Sequence, residues 1–527
     1  MLPAAMTRRV RRKTSRRLKV LLALCSLGVA ALLGEVVLRL HGGYRVFALR
    51  LDRSGVTSGD PIAALAAADD LVQPLLERWQ RRNPTIDPQW IRTSPPPLPS
   101  PPPLDKPLLP LTDWPLHYYV VNANLVRLLR GAGEWDPSVF PEVVTVFEPK
   151  DGNPRPSYRY PPSCRLPSGL ITNKFGFRGR ELTVDKPERT VRIGFVGAST
   201  TVEAHGHGFP HSAPELIEHW LMLYAKARGL DVSFETLNAG REGVQSPDLR
   251  AIVIDELLPL EVDYVVYYEG ANQFRREFLK KHVAVEGKHG VGAPPPGLVA
   301  AYDETDNADT TTLDRLSSHL AAARYLRAAL RSGKQLAEPD KPAQRVTLAD
   351  ELLQPDFPLD RAGEVLAFGE IQRDLDTIDE RLRASSARLV LATFWWLAKD
   401  GLLLDANQSQ NTHIHLNREF WPYRYSVVRQ LADVQNNFYR SWAKAHDVDV
   451  LEIGDELPQD PRLSIDAIHH NDVGIRLKAW LMFEQLVPLI ERDLAAGRVP
   501  VPDRHADATH PNIGAPIRVP RDELRDF

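Results

Sequence analysis

A few residues in the second half of the chain could do chemistry together, because each follows a strand-like run. They are Ser199, Gly243, Asn272, Asp466 and His469. A serine hydroxyl becomes a nucleophile when a neighbouring base takes its proton, and a histidine, with an intrinsic pKa of ~6.5, can act as that base. An aspartate three residues before the histidine can orient its imidazole from the same turn. The joint pattern favours nucleophilic catalysis by Ser199, with Asp466 and His469 supplying the base.

Each of these residues also has a structural explanation when taken alone. A serine after a strand is often a helix N-cap, and glycine or asparagine is common in turns. His470 adjoins His469 and is the alternative base, but the three-residue spacing from Asp466 selects His469. Their occurrence in order at successive strand ends favours the catalytic interpretation.

Two other groups near these residues suggest further roles. His205, His207 and His211 could form a metal site, but no acidic or cysteine ligands accompany them. Loop residues are therefore favoured, and no metal is predicted. Trp395 and Trp396 end a strand-like run, where core packing is favoured and a role in lining a pocket stays open.

Strand and helix patterns alternate from about residue 190 and predict the elements that position these residues. The strand-like runs are 191–196, 232–237, 263–269, 388–396 and 448–453. The helical patterns are 213–228, 248–259, 360–384, 424–446 and 475–494. Such alternation predicts a parallel sheet with helices on both faces, with the active site at its carboxyl edge. An insertion of about 275–360 is expected to form a lid or a substrate wall.

The segments around these residues resemble the SGNH (GDSL-type) hydrolase superfamily over roughly residues 189–495. GFVGAST resembles its serine block, NAGREG its glycine block, EGAN its asparagine block and DAIHHND its Asp-x-x-His block. The resemblance implies a three-layer α/β/α flavodoxin-like fold. It also implies an oxyanion hole formed by the Ser199 and Gly243 backbone N–H groups and the Asn272 side-chain amide. Two positions depart from the family pattern: Ala198 replaces the aspartate before the serine, and Gln273 stands where aspartate is common.

The first 40 residues predict a membrane anchor. Residues 8–19 contain eight basic side chains and no acid, and the apolar stretch 18–38 would form a helix ~30 Å long, about one hydrocarbon thickness. We therefore predict a basic cytoplasmic tail over 1–17 and a transmembrane signal anchor over 18–40, with the rest of the chain outside the cytoplasm. A cleaved signal peptide and a buried soluble helix are the alternatives.

The chain between this anchor and the catalytic region is divided into two segments. Residues 41–114 combine one helix, Pro61–Gln80, with a proline-rich stretch in which nine of the sixteen residues 95–110 are proline. Such density favours an extended spacer, with a ligand for proline-binding modules as the alternative. Residues 115–188 form an irregular lead-in. It stays open whether residues 43–188 as a whole form a domain or wrap the catalytic one. A C-terminal tail is expected over 496–527.

Composition narrows the function classes further. The 527 residues contain 65 basic and 68 acidic side chains, for a net charge of -3, which implies no general attraction to nucleic acid. Two cysteines are present, Cys25 and Cys164, so neither a disulfide framework nor a thiolate metal site is expected. No cofactor is predicted.

These observations predict a serine esterase that acts on acyl or acetyl groups through an acyl-serine intermediate. Its substrate would be an ester-bearing small molecule or polysaccharide. We expect the protein in the bacterial inner membrane, held by one N-terminal helix, with its catalytic domain on the periplasmic side. Two alternatives stay open: an O-acyltransferase for envelope polysaccharide that uses the same site, and a catalytically silent glycan-binding scaffold.

Overall fold

The computed structural model describes a central sheet, its helices and part of the N-terminal region. The described residues are 16–41, 44–45, 48–51, 61–99, 143–147, 155–156, 159–160, 162–163, 170–203, 210–275, 320, 322–323, 326, 359–398, 412, 425–501 and 516–520. The chain divides into two compact units, Met1–Val56 with Asp306–Lys341, and Thr57–Thr305 with Pro342–Phe527. All the predicted catalytic residues belong to the second unit.

A five-stranded parallel sheet forms the centre of the second unit. Its strands are β1 (Thr190–Gly197), β2 (Ser233–Asn238), β3 (Tyr264–Tyr268), β4 (Arg388–Ala392) and β5 (Asp449–Leu451). Their spatial order is β2-β1-β3-β4-β5, and each neighbouring pair is parallel. In this flavodoxin-like order, ligands bind at the carboxyl ends of the first and third strands, where the strand order reverses. The prediction of a parallel α/β sheet is confirmed.

Helices connect these strands and cover both faces of the sheet. They are α1 (Pro61–Ala67), α2 (Asp69–Arg82), α3 (Ser199–Val202), α4 (Ala213–Arg228), α5 (Ser246–Ala251), α6 (Ala362–Val365), α7 (Phe368–Ala384), α8 (Tyr425–His446) and α9 (Asp472–Ala495). Along β1, Ile193 and Phe195 pack into one core with α4 and α9. Val196 packs into a second core with α5 and α7. The central strands β1, β3 and β4 are covered on both faces and consist mostly of apolar residues.

Two short antiparallel strand pairs are separate from this sheet. They are Tyr44–Arg45 with Ala48–Leu51, and Val143–Phe147 with Pro516–Pro520.

The fourth and fifth strands are shorter than the predicted runs 388–396 and 448–453. β5 lies at an edge of the sheet, where only one neighbouring strand supplies backbone hydrogen bonds. Beyond the paired residues, the Thr393 hydroxyl oxygen accepts the N–H groups of Ile453 and Gly454, at 2.8 and 2.9 Å. These side-chain contacts take the place of the strand ladder, so the aromatic residues that follow β4 lie in a loop.

The two helices before the proline-rich segment pack on the catalytic unit. α1 and α2 replace the single predicted helix Pro61–Gln80. Three of their apolar side chains are completely buried in the core that includes α9: Leu65, Val72 and Trp79. The Arg476 guanidinium on α9 donates to the carbonyl oxygens of Ile91 and Thr93, both at 2.7 Å. Residues 61–99 therefore pack against α9 of the catalytic unit.

The N-terminal helix, Arg16–His41, belongs to the first unit and contains the predicted membrane segment 18–40. Several side chains of that segment lie outside the described residues. Within the described part of the chain, no helix is long and apolar enough to cross a membrane. Most of the predicted insertion at about 275–360, the prolines of 101–110 and most of the tail 496–527 also lie outside the described residues.

Candidate active site

The predicted nucleophile stands at a tight turn between β1 and α3. A Cβ at Gly197 would lie 2.1 Å from the Tyr268 carbonyl oxygen and 2.1 Å from the Thr201 hydroxyl oxygen, so only glycine fits there. Ser199 is the first residue of the four-residue helix α3, where a backbone N–H has no partner within the helix. Ser199 is 8% exposed. The turn thus presents a hydroxyl and a backbone donor together at the carboxyl edge of the sheet.

Ser199, His469 and Asp466 form one hydrogen-bonded chain. Ser199 Oγ lies 2.8 Å from His469 Nε2, and His469 Nδ1 lies 2.6 Å from Asp466 Oδ2. The other carboxylate oxygen, Oδ1, accepts the backbone N–H groups of Ile468 and His469, each at 2.8 Å. The Asp466 carboxylate therefore holds both the turn and the ring. With Nδ1–H donating to Asp466, Nε2 is the acceptor for the serine proton.

His470 is not part of this chain and packs in the protein interior. It is 4% exposed, and its ring centroid lies 4.4 Å from that of Trp395. Neither ring nitrogen has a hydrogen-bond partner among the described residues. Burial, together with the nearby Lys478 ammonium, holds the pKa of His470 well below its ordinary value. The structure thus brings His469, and not His470, to Ser199.

The loop after β2 carries Gly243 and is tied to the nucleophile strand. Gly243 has a φ of +69°, a conformation that favours glycine. The Arg241 N–H donates to the Gly197 carbonyl oxygen at 3.1 Å, and the buried Arg241 guanidinium pairs with Glu256. Arg159 pairs with the same carboxylate at 2.8 Å. These contacts fix the loop that bears Gly243 beside the turn that bears the serine.

Asn272 lies in a 3₁₀ turn, Ala271–Gln273, directly after β3. Its backbone N–H donates to Glu269 Oε1 at 3.0 Å, and its carbonyl oxygen accepts from the Gln245 side chain at 2.9 Å. Gln273, where the family pattern has aspartate, is 2% exposed. The third predicted oxyanion residue therefore follows the strand next to β1, which places it at the same edge of the sheet as Ser199.

Two buried charged residues support the nucleophile turn, and sequence reasoning missed both. Lys478 on α9 donates to the Thr200 carbonyl oxygen at 2.6 Å and pairs with Glu203 Oε1 at 2.6 Å. Glu203 ends α3 with a φ of +55° and accepts the Ala213 N–H at 2.6 Å. Burial raises the pKa of Glu203, and the Lys478 ammonium opposes that rise. A lysine inside the apolar stretch 477–483 is the sequence signal that could have revealed this contact.

The remaining sequence candidates do not join the hydrogen-bonded chain. His205 and His207 lie outside the described residues, and the part of the chain that is described contains no group of three residues able to hold a metal ion. Trp395 and Trp396 are 0% and 3% exposed, so both pack in the core.

Comparison with known proteins adds a likeness to solved structures. No family model and no curated protein matches the chain. The chain is similar to a family 3 carbohydrate esterase of Clostridium thermocellum, at 12% identity and a TM-score of 0.27, covering 57% of this chain and 98% of that one. A catalytic mutant of an acetylxylan esterase from Geobacillus stearothermophilus has 10% identity and a TM-score of 0.29, covering 56% and 94%. A GDSL-like lipase from Bacteroides thetaiotaomicron has 13% identity and a TM-score of 0.26, covering 57% and 88%.

At these identities and scores the likenesses carry no argument about substrate or chemistry. The class of the protein is defined by its own residues. A doubly wound parallel sheet presents a serine, a histidine and an aspartate in one hydrogen-bonded chain at its carboxyl edge. This arrangement is the one by which serine hydrolases activate a serine hydroxyl as a nucleophile.

Proposed function

We propose that the protein is a serine esterase that forms an acyl-enzyme intermediate on Ser199. The distances of 2.8 Å from Ser199 Oγ to His469 Nε2, and of 2.6 Å from His469 Nδ1 to Asp466 Oδ2, are the observation that carries this proposal. Such a chain lets the imidazole take the serine proton as the oxygen attacks a carbonyl carbon.

Hydrolysis would proceed in two half reactions. In the first, Ser199 Oγ bonds to the ester carbonyl carbon while His469 Nε2 takes the hydroxyl proton. The tetrahedral oxyanion accepts hydrogen bonds from the Ser199 and Gly243 N–H groups and the Asn272 amide. The bond to the alcohol oxygen then breaks, and that oxygen leaves with the proton from His469. Water attacks the acyl-serine by the same route, which releases the carboxylic acid and restores the serine.

The substrate we propose is an acyl or acetyl ester on a small molecule or an envelope polysaccharide. A sugar hydroxyl in place of water would turn the same intermediate into the donor of an O-acyl transfer. Hydrolysis and transfer therefore share the first half reaction and differ only in the acceptor.

The purified full chain should react with a fluorophosphonate probe and hydrolyse 4-nitrophenyl acetate, whereas Ser199→Ala should do neither. The probe labels only an activated serine, so labelling separates an enzyme from a silent scaffold. Acetyl, butyryl and long-chain esters should be compared, with and without a polysaccharide acceptor. Wild-type protein that neither labels nor hydrolyses any ester would overturn the proposal. If acyl transfer to the polysaccharide were faster than hydrolysis, the protein would be a transferase and not an esterase.

We further propose that residues 18–40 anchor the protein in the inner membrane, with the catalytic unit on the outer side. The basic segment 8–19 and large exposed apolar side chains of the N-terminal helix, such as Leu27 and Leu32 at 73% and 69% exposed, support this. A reporter active only in the periplasm, fused after residue 45, should be active. Activity from a reporter that works only in the cytoplasm would show the opposite orientation.

A further inference from the structure

Glu269 is a buried acid placed between the two turns that would bind the oxyanion. It follows β3 directly and is 1% exposed. Its Oε2 accepts the backbone N–H of Ala198 at 3.0 Å, and its Oε1 accepts the backbone N–H of Asn272 at 3.0 Å. One carboxylate therefore uses its two oxygens on two different turns, one adjoining Ser199 and one containing Asn272.

We infer that Glu269 is a positioning residue, which sets the distance between the Ser199 N–H and the Asn272 amide by holding both turns. This inference rests on the proposed esterase function. The Ala198 side chain has no oxygen that could accept a hydrogen bond from its own turn. The acceptor for the Ala198 N–H is therefore a carboxylate from the neighbouring strand. Donors that stabilise an oxyanion must be held in place before the reaction begins. A rigid bridge between the two turns meets that requirement.

The ionised form of Glu269 is the form that makes both contacts. A carboxylate has two strong accepting oxygens, but protonation turns one of them into a hydroxyl that donates its proton and is a much weaker acceptor for a backbone N–H. The titratable side chains around Glu269 are Tyr267 and Tyr268 on β3 and Tyr439 on α8. Burial raises the pKa of each of these phenols, so all three stay neutral at ordinary pH.

Burial also raises the pKa of Glu269 to about 7, although the N–H groups of Asn272, Gly270 and Ala198 favour the carboxylate. Above this pH both contacts of the bridge are made to a carboxylate, and below it one of them is weakened. The positioning effect should therefore fade as pH falls through about 7.

The test compares Glu269→Gln with Asp263→Asn in the full chain. Glutamine has nearly the same shape but only one accepting oxygen, so one turn must shift. A misplacement of about 1 Å costs roughly 10²-fold in rate, and we expect a fall of that order in kcat for 4-nitrophenyl acetate, with KM changed less than about twofold. The fluorophosphonate labelling rate should fall in parallel, because phosphonylation uses the same oxyanion donors.

Asp263 is the matched control, because it precedes the same strand at the opposite edge of the sheet. It is 0% exposed and accepts two backbone N–H groups, of Arg192 and Val501, each at 2.6 Å, and it also pairs with the buried Lys186 ammonium at 2.9 Å. Asp263→Asn should lower Tm at least as much as Glu269→Gln, and it should leave kcat near wild type. An equal loss of kcat in both variants would show that general destabilisation explains the effect, and would overturn the inference.

The pH profile supplies a readout that structural damage would not move. The acid limb of kcat/KM should be steeper for wild type than for Glu269→Gln, because the variant lacks the protonation step of Glu269. Unchanged kcat and an unchanged acid limb in Glu269→Gln, beside an active wild type, would overturn the inference and leave the esterase proposal standing. A wild type inactive towards both probe and esters would instead overturn the esterase proposal itself.

Discussion

Ser199→Ala and His469→Ala should each lower kcat for a 4-nitrophenyl ester by about 10⁵ to 10⁶, because nucleophile and base act as one unit. The two losses should not add in the double variant, since removal of either partner already disables the other. Steady-state kinetics at neutral pH measure the kcat of each variant directly. Titration with fluorophosphonate shows what fraction of the protein still has a reactive serine. Full activity in Ser199→Ala would disprove the assignment of the nucleophile.

His470→Ala is the control for the histidine variant. His470 is 4% exposed and packs against Trp395, so its loss should leave a cavity and lower Tm. The His470 side chain is not part of the hydrogen-bonded chain of Ser199, His469 and Asp466. The kcat of His470→Ala at 25 °C should therefore stay within a few-fold of wild type. An inactive His470→Ala beside an active His469→Ala would show that the base has been assigned to the wrong histidine.

Asp466→Asn should lower kcat by up to about 10⁴ while KM changes little. The carboxylate uses Oδ2 for His469 Nδ1 and Oδ1 for the N–H groups of Ile468 and His469. Asparagine has a single oxygen. If that oxygen keeps the backbone contacts, the amide donates to Nδ1, the ring proton moves to Nε2, and the imidazole can no longer accept the serine proton. If that oxygen instead keeps accepting the hydrogen bond from His469 Nδ1–H, the turn loses its contacts to the N–H groups of Ile468 and His469.

Proton NMR of the ring N–H groups separates these two outcomes for Asp466→Asn. A proton on Nε2 indicates the reversed tautomer, and a proton on Nδ1 with a lowered Tm indicates a disturbed turn. Labelling by fluorophosphonate should be slow in either case. A kcat equal to wild type would mean that the Asp466 carboxylate neither orients the imidazole nor stabilises its protonated form.

Helix bounds were predictable where the local sequence marks them. The predicted helix 213–228 has the bounds of α4, Ala213–Arg228. Ser212 and Glu215 form a capping box at its start, and Gly229 ends it with a φ of +64°. Both signals act within a few residues and are visible in the sequence. The parallel sheet was predictable because strand-like and helical patterns alternate along the chain.

Other features depend on contacts between distant residues, for which a single sequence has no marker. Glu269 appears in the sequence as the last residue of a strand-like run, and its partner Ala198 lies 71 residues earlier. Lys478 reaches Thr200 across 278 residues. Likewise, the ends of β4 and β5 depend on Thr393 and its contacts to the chain after β5. The spacing of Asp466 and His469 was informative because those two residues share one turn.

The packing of α9 on the first helices has a consequence for the order in which the protein is made. Arg476 holds the carbonyl oxygen of Ile91 across 385 residues, and α9 begins three residues after His469. At roughly 5–20 residues per second, α1 and α2 leave the ribosome roughly 20–80 s before α9 can cover them. Their apolar faces must be shielded during that interval. His469 is synthesised just before α9. The growing chain therefore cannot act on esters until this last part of the catalytic unit has been made.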